Sequence, residues 1–327
     1  MDQSETNQQA AYPETLDAIV LAGTDDNAKR MIQGQNKAFL EIAGKILVRR
    51  VVEALLEAGS VGQVFVVGPL DRLEAALGGI SPRVSLVAQS GKMVANAWEA
   101  IRAAEAYQCE QGKPEDPHQP LLFLSCDLPL ICPEAADDFI ARCAMEDSRA
   151  EKDYSMHCGV AEEASLKQYY PGQGKDGIIR PYVNLSDCRV RLANIYVGRP
   201  RTMANQAFLQ TTFDHRKAAK VKNVLLMAWD FLSQSGGWQA AWLSLRMQAT
   251  LMASKKGGKL YHRLRKGNSS KKVEQVSSKV LGGGVRMVIT PYGGLSLDAD
   301  NEEDFRVLSE RFEEWRKIPP VEPIQRA

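Results

Sequence analysis

The stretch 121–130, Leu-Leu-Phe-Leu-Ser-Cys-Asp-Leu-Pro-Leu, constrains the fold more than any other part of the chain. It is apolar on both faces, too short for a helix, and stops at one carboxylate, Asp127, with Pro129 just behind it. Such a run suits a central parallel strand covered by helices on each side. In sheets of that kind ligands gather where the strands end, which puts Asp127 at the mouth of a site. Pro129 fixes the exit of the chain and starts a loop before a helix expected from 133 onward. Taken alone, an Asp-x-Pro serves equally well as a turn cap, so the rest of the chain has to decide.

The rest alternates. Residues 16–22 read as a strand ended by Gly23. The stretch 46–58 is an amphipathic helix with its apolar positions 47, 48, 51, 52, 55 and 56 on one face. A strand at 63–68, a helix at 70–77, a strand at 84–88 and a helix at 94–106 follow, and a polar linker over 111–120 leads to the strand before Asp127. Strands and helices at this spacing predict parallel, right-handed crossovers and a three-layer α/β/α, Rossmann-like sheet. After the helix at 133–145 the pattern changes, with strand-like pieces at 154–160, 181–185 and 189–197 that predict an antiparallel extension at one sheet edge. A strand at 285–289, a passage through 295–300 in which Asp298 ends a strand, and a helix at 302–316 close the chain.

Between these parts lies a stretch of different character. Two short apolar segments within 221–253, carrying Trp229, Phe231, Trp238 and Trp242, flank Ser-Gln-Ser-Gly-Gly. No Asp or Glu occurs between Phe231 and Val273, while Arg246, Lys255, Lys256, Lys259, Arg263, Arg265, Lys266, Lys271 and Lys272 all do. The expected organisation is a disordered tail over 1–14, a core of 15–202 plus 284–316, a helical basic insertion over 203–283 and a tail over 317–327.

Composition narrows the classes. A net charge of +1 predicts no general affinity for nucleic acid. Six cysteines without a Cys-x-x-Cys pair and four scattered histidines suggest neither a zinc site nor a disulfide framework, and reduced thiols fit a cytoplasmic location. The polar, acidic stretch before Glu14 has no apolar core of the kind a signal peptide carries. No run reaches the roughly 18 apolar residues that a membrane span needs. Aromatics followed by a basic, acid-free run predict peripheral contact of 221–272 with an anionic membrane at its inner face. The plainer reading packs the aromatics on the core and leaves the lysines solvated. The apolar helices could equally pair two subunits.

The loop 21–31, Leu-Ala-Gly-Thr-Asp-Asp-Asn-Ala-Lys-Arg-Met, and Lys37 beyond it bring backbone amides and cations to the end of the first strand. Amides and cations there cradle a triphosphate. At this point the chain resembles nucleotidyltransferases of the molybdenum-cofactor guanylyltransferase-like group, whose loop runs Leu-Ala-Gly-Gly-x-x-x-Arg-Met with a lysine following. Gly23, Arg30, Met31 and Lys37 match, and Thr24 stands where the second glycine would be. Asp127-Leu128-Pro129 matches that group's metal-binding Asp-x-Pro, and 297–305 resembles its closing Asp-x-Asp-x-Pro-Glu-Asp-Leu with Glu302 in place of proline.

The resemblance implies a GT-A-type fold and a donor nucleoside triphosphate held by Ala22, Gly23, Thr24, Gln89 and Gly91. It implies Arg30 and Lys37 on the β and γ phosphates, Mg²⁺ on Asp127 and Asp300, and Asn194 facing the acceptor. The implied reaction moves a nucleotidyl group to a small phosphorylated metabolite and releases pyrophosphate. Arg180, Lys175 and the pair Arg216-Lys217 are further candidates for the acceptor phosphate. Plainer roles compete: Lys37 as a solvated loop residue, and Asp300 or Asn301 as the cap of the last helix. A glycosyltransferase using a nucleotide sugar and a catalytically weak nucleotide-binding scaffold are the alternative functions.

Overall fold

The computed structural model describes residues 11–23, 31–205 and 237–323. Its main sheet is built from β1 (Leu16–Leu21), β2 (Val61–Gly68), β3 (Val84–Ala88), β4 (Leu121–Ser125), β5 (Met156–Glu162), β6 (Arg189–Gly198) and β7 (Val285–Thr290). They lie in the order β7-β5-β6-β4-β1-β2-β3, and an eighth, two-residue strand at Val183–Asn184 pairs with β6. Every neighbouring pair among the seven is parallel except those made by β6, which runs antiparallel to both β4 and β5. The extension expected at one edge is there, with β6, β5 and β7 lying beyond β4, but only β6 in it is antiparallel and it lies inside the sheet. The reason is visible in β6 itself: Val190, Ala193, Ile195 and Val197 are buried and serve two different core clusters, which an edge strand could not supply.

Helices cover both faces. On one, α1 (Leu47–Glu57), α2 (Leu70–Leu77) and α4 (Pro133–Ser148) bury Val48, Val51, Leu55, Leu73, Phe139 and Ile140 against Ala18, Val20, Leu122, Leu124 and Ile195. On the other, α3 (Met93–Glu110) sets Ala100, Ile101 and Ala104 against Ile19, Phe65 and Leu121. Each large apolar side chain buried this way contributes about 1.5–3 kcal/mol. α3 outruns its expected end at 106 because Tyr107 meets Phe65 edge-on, ring centroids 6.0 Å apart, and buried Gln108 donates to Asp17.

The insertion contributes α5 (Gly237–Ser254), α6 (Gly258–Arg265) and α7 (Ser270–Leu281). Ser269 caps α7 by accepting from the Lys272 amide, and Gly282, at φ 69°, ends it in the left-handed conformation. The three helices are bolted to the loop around the short eighth strand. Tyr261 donates to Asn184 at 3.0 Å, the Ser186 amide to the Asn268 carbonyl at 2.7 Å, and the Ser270 amide to Asp187 at 3.1 Å. Trp229, Phe231, Arg216 and Lys217 lie outside the described residues.

Two further expectations change. No strand lies between β7 and α8 (Glu302–Trp315); a tight 3-10 turn, Gly293–Ser296, carries the chain instead, and Asp298 follows it in open coil. The turn needs its glycines, since a Cβ on Gly293 would meet the Ser165 carbonyl at 2.7 Å and one on Gly294 would meet Leu130 Cβ at 2.8 Å. The amino-terminal tail expected to reach 14 is held from Tyr12, which donates to Asp147 at 2.7 Å. Residues 1–10 lie outside the described part. At the other end the Val321 amide donates to Pro291 at 3.0 Å.

Candidate active site

Because β1, β3 and β4 are parallel, Ala22 and Gly23, then Gln89, then Asp127 all emerge at the same edge of the sheet. Asp127 is buried two residues past β4, and one of its oxygens accepts from the Ser125 hydroxyl. Lys37 comes to the same place on a 3-10 turn, Lys37–Phe39, which Asn36 caps by accepting from the Ala38 amide at 2.8 Å and which buried Ala38 and Phe39 anchor. α8 supplies the last piece. Its Phe305, Leu308 and Phe312 pack with Ile32, Leu40 and Ile42, the residues on either side of Lys37, so the start of α8 is pressed against the lysine turn.

The result is a knot of charge. Lys37 Nζ lies 3.0 Å from Asp300 Oδ1 and 3.5 Å from Asp127 Oδ2. The cap of α8 is Asn301, which accepts from the Asp304 amide at 2.9 Å, so Asp300 faces Lys37 and does not cap the helix. Arg180 Nη1 is 2.7 Å from Asp304 and 3.8 Å from Asp300 Oδ2, while its Nη2 donates to the Asp298 carbonyl at 2.7 Å. Arg191, from the first turn of β6, donates to Ser296 at 3.1 Å and lies 3.5 Å from Asp298 Oδ1.

Asp298 is the group that sequence reasoning missed. Burial, then the neighbouring charges of Asp127 and Asp300, push its carboxyl up to about 6, against the pull of Lys37 and Arg191. Four carboxylates, Asp127, Asp298, Asp300 and Asp304, gather here with one ammonium and two guanidinium groups. Burial alone would lower Lys37, but Asp127, Asp300 and Asp298 outweigh it and hold the ammonium above its ordinary range. Burial lowers Arg191, ahead of the compensating pull of Asp298.

The glycine at the end of β1 has a second partner that the sequence did not advertise. A Cβ on Gly23 would stand 2.5 Å from Asn96 Nδ2 and 3.6 Å from Gln89 Oε1. Asn96, buried in the first turn of α3, accepts from the amides of Ser90 and Gly91 at 2.8 and 3.0 Å. It therefore locks 89–91 beside the end of β1. A lone Asn near a helix start reads in sequence as a surface residue, and only its burial reveals the role. Asn194 sits on β6 one residue before Ile195, which pairs with Leu124, so it is level with the exit of β4. Lys175 is drawn away to Glu314 at 2.9 Å on the surface. Thr24 and Arg30 lie outside the described residues.

Among the described residues no three or more His, Cys, Asp or Glu side chains are grouped as a metal centre. Asp127 and Asp300 nevertheless offer two hard oxygen donors that already converge on one cation. That donor set suits Mg²⁺, which takes one or two carboxylates and completes its shell with phosphate and water.

Comparison with known proteins gives the following. Residues 18–168 match the family model described as MobA-like NTP transferase domain. No curated protein matches the chain. Among solved structures, a hypothetical transferase from Thermus thermophilus is 19% identical, with 89% of this chain and 99% of that one covered at a TM-score of 0.50, a likeness of fold. CMP:2-keto-3-deoxy-manno-octonic acid synthetase complexed with CTP is 12% identical over 92% of this chain and 99% of that one, with a TM-score of 0.45. A 4-diphosphocytidyl-2C-methyl-D-erythritol synthase from Anaerococcus prevotii is 10% identical over 92% and 96%, with a TM-score of 0.43.

Proposed function

We propose, from the match of residues 18–168 to the model described as MobA-like NTP transferase domain, that the chain is a Mg²⁺-dependent nucleotidyltransferase that moves a nucleotidyl group from a nucleoside triphosphate to a small phosphorylated acceptor. The observation that carries this reading is the convergence of Asp127 and Asp300 on Lys37 at the strand ends, beside the Gly23 loop. Asp127 and Asp300 would hold the metal, which when bound neutralises phosphate charge. Lys37, released from the carboxylates, reaches the phosphates and stabilises the charge that grows on departing pyrophosphate. The backbone of 89–91, held in place by Asn96, gives the base a rigid edge to lie against. Arg180 and Arg191 stand on the acceptor side with Asn194, where they counter the acceptor phosphate. That phosphate is already an anion, so no general base is needed. The proposal includes a cytoplasmic location with peripheral contact of the insertion with an anionic membrane.

Thermal stability against ATP, CTP, GTP, UTP and dTTP, with and without Mg²⁺, tests it. One triphosphate should raise the melting temperature only with Mg²⁺, corresponding to about 2.7 kcal/mol at a hundredfold excess over Kd. Asp127→Asn should remove both this response and pyrophosphate release while remaining folded. No response to any triphosphate overturns the reading.

A further inference from the structure

The insertion presents what the core does not. Trp238 and Trp242, four residues apart and so on one face of α5, are 62% and 60% exposed, Met252 further along is 56% exposed, and Leu260 on α6 is 64% exposed. Isolated exposed apolar residues mean little; a Trp pair on one helix face marks a contact surface. At the end of α5 the chain runs into exposed Lys255, Lys256, Lys259, Arg263 and Lys266. None of these has an acidic partner among the described residues. On the core the opposite holds: Arg306 pairs with Asp176, Glu303 and Glu310, Arg142 with Asp138 and Glu322, and Lys175 with Glu314. Five exposed cations in twelve residues with no acid among them, in a chain whose core pairs most of its cations, fit an external anion. Exposed Trp at the start of α5 and the basic cluster past its end, roughly 20 Å apart along the helix, fit the interface of an anionic bilayer, where aromatic rings settle and each basic residue adds attraction. Nucleic acid fits less well, because the aromatics precede the basic run and do not alternate with it.

The surface is also coupled to the acceptor side. The loop that holds α6 and α7, through Asn184, Ser186 and Asp187, leads directly into β6, whose first turn carries Arg191. On β6, Leu192 and Asn194 point to the same sheet face as Val190, which packs with Val273 of α7, whereas Ala193 and Ile195 serve the opposite face. Leu192, on the face of β6 that carries Asn194, is 51% exposed, and Ile179, which precedes Arg180 in the chain, is 65% exposed. The acceptor side thus has an uncovered aliphatic side chain on the Asn194 face and another at Arg180.

We infer that the insertion seats the protein on an anionic bilayer and that the acceptor phosphate belongs to an amphiphile whose apolar part stays in that bilayer. The inference rests on the nucleotidyl-transfer reading above. In the step, an oxygen of the lipid phosphomonoester bonds to the α-phosphorus of the triphosphate, the α–β anhydride bond breaks, and pyrophosphate leaves with its electron pair. The product is a lipid joined to the nucleotide through a diphosphate.

The test uses the full chain. Flotation is measured with phosphatidylcholine vesicles, with and without phosphatidylglycerol, alongside the Mg²⁺-dependent triphosphate thermal shift. Turnover is measured with octyl phosphate against methyl phosphate. The protein should float only with anionic vesicles, and KM should be at least roughly tenfold lower for octyl phosphate, since each buried methylene is worth about fourfold. Trp238→Ala/Trp242→Ala should abolish flotation. Lys255→Glu/Lys256→Glu/Lys259→Glu should weaken it on the order of a hundredfold, about fivefold per cation. Both variants should keep the triphosphate shift. An intact shift without flotation, equal KM for the two phosphates, or flotation unaffected by both variants overturns the inference and leaves nucleotidyl transfer standing. Binding of polyuridine or loss of a dimer in the Trp variant, without vesicle binding, overturns it too. Absence of the triphosphate shift sinks both readings together.

Discussion

Lys37 holds two carboxylates that would otherwise repel each other, and the same ammonium is the group best placed to meet a triphosphate. Lys37→Met should therefore lower turnover on the order of a hundredfold or more, the usual loss for an electrostatic stabiliser. It should also lower the melting temperature without nucleotide, because Asp127 and Asp300 lose their shared counterion; single-turnover kinetics and calorimetry check the two halves. Asp298 behaves in the opposite sense. Its carboxyl rises from the usual 3.8 to about 6, so between those values the folded chain binds a proton that the unfolded chain releases. Stability contributed by this group falls as pH rises across that window. Asp298→Asn should flatten the slope of melting temperature against pH between about 4 and 6, and an unchanged slope would mean that this carboxyl is not raised. Asp298 was hard to read in the sequence because an acid two positions from another looks like a strand end; apart from Asp300, the charges that change its chemistry, Asp127, Lys37 and Arg191, come from more than a hundred positions away.

At the scale of elements, the loop after β1 is held by fit. Asn96 spends its carbonyl on two amides, Ser90 and Gly91, and its amide nitrogen closes on Gly23. It has no freedom to retreat, so Gly23→Ala should cost about 1–3 kcal/mol of stability by overpacking and weaken triphosphate binding as 89–91 shift. Urea denaturation and titration with the responding triphosphate measure these; a neutral substitution would show that the contact yields. The elements themselves were largely legible. α2 and β3 stand at their expected limits, and the helical face of α1 follows from spacing alone, because periodicity reports burial directly. Strand pairing was not legible in the same way. Nothing local in 189–198 tells whether β6 lies at an edge or between β4 and β5, since that depends on which neighbours reach it. The strand ends did carry Gly23, Gln89 and Asp127, because a parallel sheet delivers all its carboxyl ends to one side.

The whole molecule is fastened at the opposite end of the sheet from the site. There Asp147 of α4 accepts from the Tyr12 hydroxyl at 2.7 Å, Arg199 Nη2 at 3.0 Å and the Tyr154 amide at 2.9 Å, and lies 3.1 Å from His157 Nε2. Arg199, almost fully buried, also donates to the carbonyls of His118 and Tyr154. One carboxylate thus ties the amino-terminal segment, α4, β5 and the exit of β6. Burial works against its charge, but His157 first, and then the Tyr154 amide and Tyr12, lower the carboxyl from 3.8 to about 2. The unfolded chain therefore takes up the proton first as pH falls. The stabilisation is complete above about pH 4 and is lost on the way down to about 2. Asp147→Asn keeps the shape but leaves Arg199 with only the half-exposed Asp153, 3.1 Å away, as countercharge; a fully broken buried pair costs about 3–5 kcal/mol, and the loss here should be smaller. Chemical denaturation at neutral pH should show that loss, and the variant should lose less of its stability than the parent between pH 4 and 2. Because the network lies away from Lys37 and Asp127, the Mg²⁺-dependent response to triphosphate should survive at temperatures where the variant is folded. If Asp147→Asn abolished that response in a folded protein, the two ends of the sheet would be coupled, and the packing between α4 and the strands it covers would be the path.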